Sequence, residues 1–116
     1  MVAIIDDQRS ELESLCRKHR VRRLEVFGSA ADGTFDPQRS DLDFLVEYEQ
    51  LSPGEHYEAY FGLWEDLTSL FGRKNDLVAP ETIRNPFVQR RVNESRKVIY
   101  EAIGDMEGRA GGTLRE

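Results

Sequence analysis

The chain has 116 residues, a formal net charge of −6 and a single cysteine, Cys16. This length fits one domain, a lone cysteine excludes an internal disulfide, and no apolar run is long enough to cross a bilayer. The acidic balance argues against long nucleic acid as a partner, because a basic surface supplies most of that affinity, and Met1 to Asp6 lack the basic region of a secretory signal, so a cytoplasmic protein without a membrane partner is expected.

A helix is expected from about Asp6 or Asp7 to His19, where Ile5, Leu12, Leu15, Cys16 and His19 recur on one face. Asp6 and Asp7 suit its start, and Arg17 and Lys18 its end, through the helix dipole. His19 then borders the core or solvent at the helix end. Val21 to Phe27 reads as a strand that stops at Gly28, and Ala30-Ala31 permits a short helix after it. Asp36-Pro37 signals a turn. The second strand runs from Asp41 to Glu47, with Leu42, Phe44 and Val46 on the core face and Asp41, Asp43 and Leu45 on the other.

Ser52-Pro53-Gly54 breaks the chain, and a long helix is expected from about Glu55 to Phe71. Tyr57, Tyr60, Phe61, Trp64, Leu67 and Phe71 form its core stripe, widened by Leu63 and Leu70; the aromatic residues could also stack a nucleobase, but packing is preferred. Gly72 can stop this helix. Lys74 to Val78 is a third strand, Asn85-Pro86 an N-cap and first turn of a helix to about Glu94, and Lys97 to Glu101 a last short strand. Arg84, Arg90, Arg91, Arg96 and Lys97 read as a solvated face, with phosphate or partner contact as the alternative. A domain over residues 1–103 followed by a loose, glycine-rich tail over 104–116 is expected. The order of elements gives a mixed α+β fold, helices packed on a small mixed β-sheet.

Three features carry chemistry: a strand ending in Gly28-Ser29, an Asp41-x-Asp43 pair opening the next strand, and Asp76 in a later one. Two residues apart on a strand, Asp41 and Asp43 have Cα atoms about 6.5 Å apart and point the same way. Short carboxylates so placed suit Mg²⁺, which takes oxygen ligands and usually one or two carboxylates plus phosphate oxygens and water. Two such ions about 3.5–4 Å apart can stabilise both the attacking and the leaving oxygen of a displacement. Gly28, without a Cβ, lets backbone approach a phosphate, the amides that follow can donate to anionic oxygens, and the Ser29 hydroxyl adds a donor. Asp76 can hold a metal near the acceptor hydroxyl and help to remove its proton. Separately, each element is common in turns and strand ends; their conjunction points to a metal-dependent site for phosphoryl or nucleotidyl transfer built from Gly28, Ser29, Asp41, Asp43 and Asp76.

Val26-Phe27-Gly28-Ser29 followed by Ser40-Asp41-Leu42-Asp43-Phe44-Leu45-Val46 resembles the polymerase-β-type nucleotidyltransferases. The short length, Asp76-Leu77-Val78, Asn85-Pro86 and Val98-Ile99-Tyr100-Glu101 look like the minimal nucleotidyltransferase (MNT) branch, MntA-like antitoxins of HEPN/MNT toxin–antitoxin systems. The resemblance implies ATP as substrate, two Mg²⁺ ions, and transfer of AMP to an acceptor hydroxyl. It makes Asp41 and Asp43 the paired metal ligands, Asp76 the third carboxylate and Ser29 the phosphate-binding serine. It also implies a HEPN-domain toxin as partner, with a tyrosine of that toxin as acceptor; the alternative is a catalytically weak member that neutralises its partner by binding. The chain departs from the family at position 32. Members commonly carry arginine four positions after the glycine, and here Asp32 stands there. An aspartate beside a triphosphate repels it, so either Asp32 faces solvent or another cation compensates, Arg39 being the nearest in sequence.

Overall fold

The computed structural model describes residues 3–102, and the expected tail over 104–116 lies outside them. Helices α1 (Ala3–Asp7) and α2 (Arg9–Lys18) occupy the stretch where one helix was expected. The break falls at Gln8, whose backbone leaves the helical region (φ −109°, ψ 18°). Strand β1 (Val21–Phe27) leads into the four-residue helix α3 (Ser29–Asp32), and β2 (Leu42–Tyr48) follows a loop. Asp36 organises that loop as a turn: its carboxylate accepts from the Gln38 amide at 2.9 Å, and its own amide donates to Ser40 Oγ at 2.9 Å.

Helix α4 (Pro53–Phe71) begins two residues earlier than its apolar pattern suggests because Ser52 and Glu55 form a capping box ahead of Pro53. It ends at Gly72 in the left-handed conformation (φ 63°). Strand β3 (Asn75–Val78), a 3₁₀ turn (Pro80–Thr82), α5 (Pro86–Ser95) and β4 (Lys97–Glu101) complete the fold. Asn85 caps α5, its side chain accepting from the amides of Phe87 and Val88.

The four strands form one sheet in the order β3-β2-β1-β4. β1 runs antiparallel to both β2 and β4, while β2 and β3 are parallel, joined by α4. One face is apolar: Leu24, Val26, Leu42, Phe44, Val46, Leu77 and Ile99 pack with Ile5, Leu12 and Cys16 from α1 and α2 and with Leu63, Leu67 and Phe71 from α4. Burial pushes the Cys16 thiol up to about 12, which removes it as a nucleophile at neutral pH. His19 sits at the end of α2, its Nε2 2.6 Å from Asp66 on α4, so it ties the two helices together at the edge of the core.

The aromatic stripe of α4 is not the core stripe. Tyr57 is 64% exposed, Phe61 45% and Trp64 37%, while Ala59, Leu63, Leu67 and Phe71 are buried. Two apolar stripes lie side by side on this helix, and the sheet receives the aliphatic one. Trp64 instead donates from Nε1 to the Asn75 carbonyl at 3.1 Å, and buried Asn75 donates to Thr68 Oγ1 at 3.0 Å, which fastens β3 against α4.

Candidate active site

The second face of the sheet brings the expected acidic residues together. Residues paired across neighbouring strands point to the same side, and the register pairs Phe27 with Asp43 and Asp43 with Asp76. The end of β1, the start of β2 and the start of β3 therefore meet in one row. Asp41 precedes β2, is exposed, and acts on Asp43 through its charge.

Asp43 is the strained member. Its carboxyl is pushed from an ordinary 3.8 up to about 6, first by burial, then by the charges of Asp76 and Asp41, with a hydrogen bond shared with Asp76. A cation held between these carboxyls would relieve the repulsion that raises Asp43. The donor set is all oxygen, as Mg²⁺ prefers. Among the described residues, no three acidic, histidine or cysteine side chains form a ready-made cage, so the open coordination positions would fall to phosphate oxygens and water.

Gly28 presses against this carboxylate. Its backbone (φ 72°, ψ −146°) lies where only glycine is comfortable, and a Cβ built there would sit 2.9 Å from Asp43 Oδ2. Glycine is thus required twice, for the turn and for the approach of Asp43. The Gly28 amide donates to Ser95 Oγ at 3.0 Å, so α5 is attached to the turn itself.

A cleft of about 240 Å³ opens beside this row, lined by Phe27, Gly28, Asp32 and Asp43 on one side and by Val88, Arg91, Val92 and Ser95 of α5 on the other. Of the residues expected from the sequence, Gly28 and Asp43 line it. Asp76 and Asp41 adjoin it through Asp43. Ser29 follows Gly28 as the first residue of α3, half-buried, and does not line the cleft.

Asp32 lines the cleft, and the cation whose charge it feels is Arg91 of α5, not Arg39, which is exposed in the turn before β2. The Asp32 carboxylate accepts from the Thr34 amide at 3.0 Å and from Thr34 Oγ1 at 2.6 Å; these bonds, then Arg91, hold its pKa below the usual range.

Three residues that sequence reasoning did not assign shape this site. Arg73 donates to the carbonyls of Ser40 (3.1 Å) and Pro37 (2.8 Å) and lies over the Phe35 ring, and so fixes the loop that delivers Asp41. Ser95 holds Gly28. Arg96, read as part of a solvated basic face, forks onto Glu25 of β1 at 3.0 and 2.5 Å. Glu25 is 3% exposed, and the Arg96 hydrogen bond keeps it ionised by lowering its pKa. This pair locks the end of α5 to the sheet, and with it the far wall of the cleft.

Residues 9–99 match the nucleotidyltransferase domain family. Two proteins of Methanocaldococcus jannaschii to which protein adenylyltransferase activity is ascribed are 31% and 32% identical, each match covering 78% of this chain and 95% of the relative. A solved structure assigned as a minimal nucleotidyltransferase is 30% identical, with a TM-score of 0.63, covering 80% of this chain and 90% of that one. A toxin–antitoxin complex with AMP-PNP (23% identity, TM-score 0.58, covering 84% and 76%) shares the fold, as does a complex of a tri-AMPylated HEPN toxin of Shewanella oneidensis with its MNT antitoxin (18%, 0.54, covering 87% and 76%). Among the described residues no helix is long and apolar enough to cross a membrane. With its mixed sheet, its Gly28 turn and its carboxyl row, this chain belongs to the nucleotidyltransferase domain family, and it is a nucleotidyltransferase.

Proposed function

We propose that this nucleotidyltransferase moves AMP from ATP, with Mg²⁺, to a hydroxyl of a protein, in an antitoxin role toward a HEPN-domain toxin whose tyrosine is the acceptor. The observation that carries the reading is the Asp43 carboxyl, wedged against Gly28, beside Asp76 and pushed up to about 6. Such an accumulation of acid costs stability and suits a site whose ligand brings cations. Ascribed protein adenylyltransferase activity in relatives covered over 95% of their length supports the substrate class.

Asp41, Asp43 and Asp76 would hold the metal. When bound, Mg²⁺ neutralises charge gathering on the leaving pyrophosphate and lowers the pKa of the acceptor hydroxyl. Gly28 lets the polyphosphate lie against backbone, the Ser29 hydroxyl donates to a phosphate oxygen, and the Asp76 carboxylate takes the proton of the incoming hydroxyl as its oxygen attacks the α-phosphorus.

The test is incubation with α-labelled ATP, Mg²⁺ and a candidate HEPN-domain partner protein. Label on a tyrosine of the partner, absent with Asp43→Ala or with EDTA, is the expected result; label transferred at the normal rate by Asp43→Ala removes the site assignment. One observation favours a second reading, a member that neutralises its partner by binding with transfer weak or lost: Asp32 lines the cleft where a triphosphate would lie. A stable complex with no label on either protein would establish that reading instead.

A further inference from the structure

The cleft poses an electrostatic problem. Its charged lining residues are Asp32, Asp43 and Arg91, two acids and one base. A nucleoside triphosphate brings several more negative charges. Cations held by the aspartates offset part of this, but Asp32 lies apart from the carboxyl row, on α3, and a family arginine would have stood there.

Three other arginines near the site are occupied. Arg73 serves the loop carbonyls, Arg96 serves Glu25, and Arg23 is shared between Glu25 and Glu101. The guanidinium of Arg91 makes no hydrogen bond or ion pair among the described residues, and the residue is exposed. It is also well delivered. Val88, Arg91, Val92 and Ser95 follow each other at three-, four- and seven-residue spacing, so they form the one stripe of α5 that faces the cleft. Asn85 caps that helix at one end, and Ser95 and Arg96 fasten the other. Asp32 meanwhile is turned back onto Thr34, which leaves Arg91 available instead of consuming it.

We propose that Arg91 binds the polyphosphate tail of the nucleotide, supplying from α5 the positive charge that position 32 does not. This rests on the reading of the cleft as a nucleoside triphosphate site. The charge has changed element, not disappeared. Asp32 then acts as the counter-charge of Arg91 in the empty cleft and weakens triphosphate binding modestly.

The experiment measures binding of ATP, inorganic tripolyphosphate and AMP by calorimetry, to wild type and to Arg91→Gln, Arg91→Lys and Asp32→Asn. Loss of a charge-assisted phosphate contact should weaken ATP and tripolyphosphate on the order of ten- to a hundredfold in Arg91→Gln. AMP should be unaffected, Arg91→Lys should recover part of the loss, and Asp32→Asn should tighten both polyphosphates. Unfolding curves of Arg91→Gln matching wild type would establish that the loss is local. Wild type that binds ATP while Arg91→Gln binds it equally well overturns this proposal and leaves the proposed function intact. Wild type that binds neither ATP nor tripolyphosphate overturns both.

Discussion

Replacing Asp43 by asparagine should remove the electrostatic penalty stored in the apo site. The change keeps the shape and the hydrogen bond to Asp76 while deleting the charge. A rise from 3.8 to about 6 corresponds at ~1.36 kcal/mol per tenfold to ~3 kcal/mol of lost stability. Solvent reaches this partly buried carboxyl, and screening reduces the figure to ~1–2 kcal/mol. The sign follows from linkage. A folded-state pKa above the unfolded value, near 3.9, makes the ionised carboxylate a cost that is fully present above pH 6 and disappears as pH falls toward 4. Asp43→Asn should therefore raise the melting temperature in EDTA at pH 8, by roughly 4–8 °C for each kcal/mol, and change it little at pH 4.5. Circular dichroism melts at the two pH values read this directly. An asparagine variant less stable than wild type at pH 8, or equally stabilised at both pH values, would refute the account of Asp43. The same variant should have no transferase activity, so stability and function move in opposite directions at one residue.

Arg96→Ala should destabilise the fold by about 3 kcal/mol, because it leaves Glu25 buried with only Arg23 beside it; urea unfolding measures this, and a loss below ~1 kcal/mol would deny the pair its role. Since the Glu25 pKa is lowered, the stability it contributes is present above its unfolded value and should decline as pH falls through the folded one, an effect Glu25→Gln would remove. Gly28→Ala should cost about 1–3 kcal/mol from its backbone conformation alone and also displace the Asp43 carboxylate; a variant with unchanged melting temperature and activity would show that the approach is not needed. Addition of Mg²⁺ with ATP should raise the melting temperature of wild type by more than that of Asp43→Asn, read by the same melts.

Much of the scaffold was legible because its signals are local. The strand ending at Gly28, the Asp-x-Asp strand, the caps at Asn85 and Gly72 and the closing β4 all follow from neighbours within a few positions. Where the outcome depended on distant contacts, local pattern was not enough. Tyr57, Phe61 and Trp64 have helical spacing, but so do Ala59, Leu63, Leu67 and Phe71, and only the position of the sheet decides which stripe is buried. Arg91 and Arg96 look alike in sequence, five positions apart; helical phase sends one into the cleft, and the turn after α5 sends the other onto Glu25. Leu45, assigned to the face opposite the core, is 1% exposed all the same, so the second face is covered at that position. The acidic row was foreseeable as residue types, but the contact between Asp43 and Asp76 depends on a strand register that no spacing encodes.

The parallel pairing of β2 with β3 makes the acidic pair a long-range feature of the chain. β2 and β4 flank β1 in antiparallel pairs, whereas β3 joins the sheet beside β2 through the crossover over α4 that a parallel pair requires. Without that pairing Asp43 lacks the charge of Asp76 and keeps beside it only that of Asp41. The opposition between the two carboxyls arises where β3 pairs with β2. The two acids most closely opposed in the site therefore come from segments more than thirty positions apart, and their meeting depends on the helix that bridges those strands rather than on any neighbouring residue.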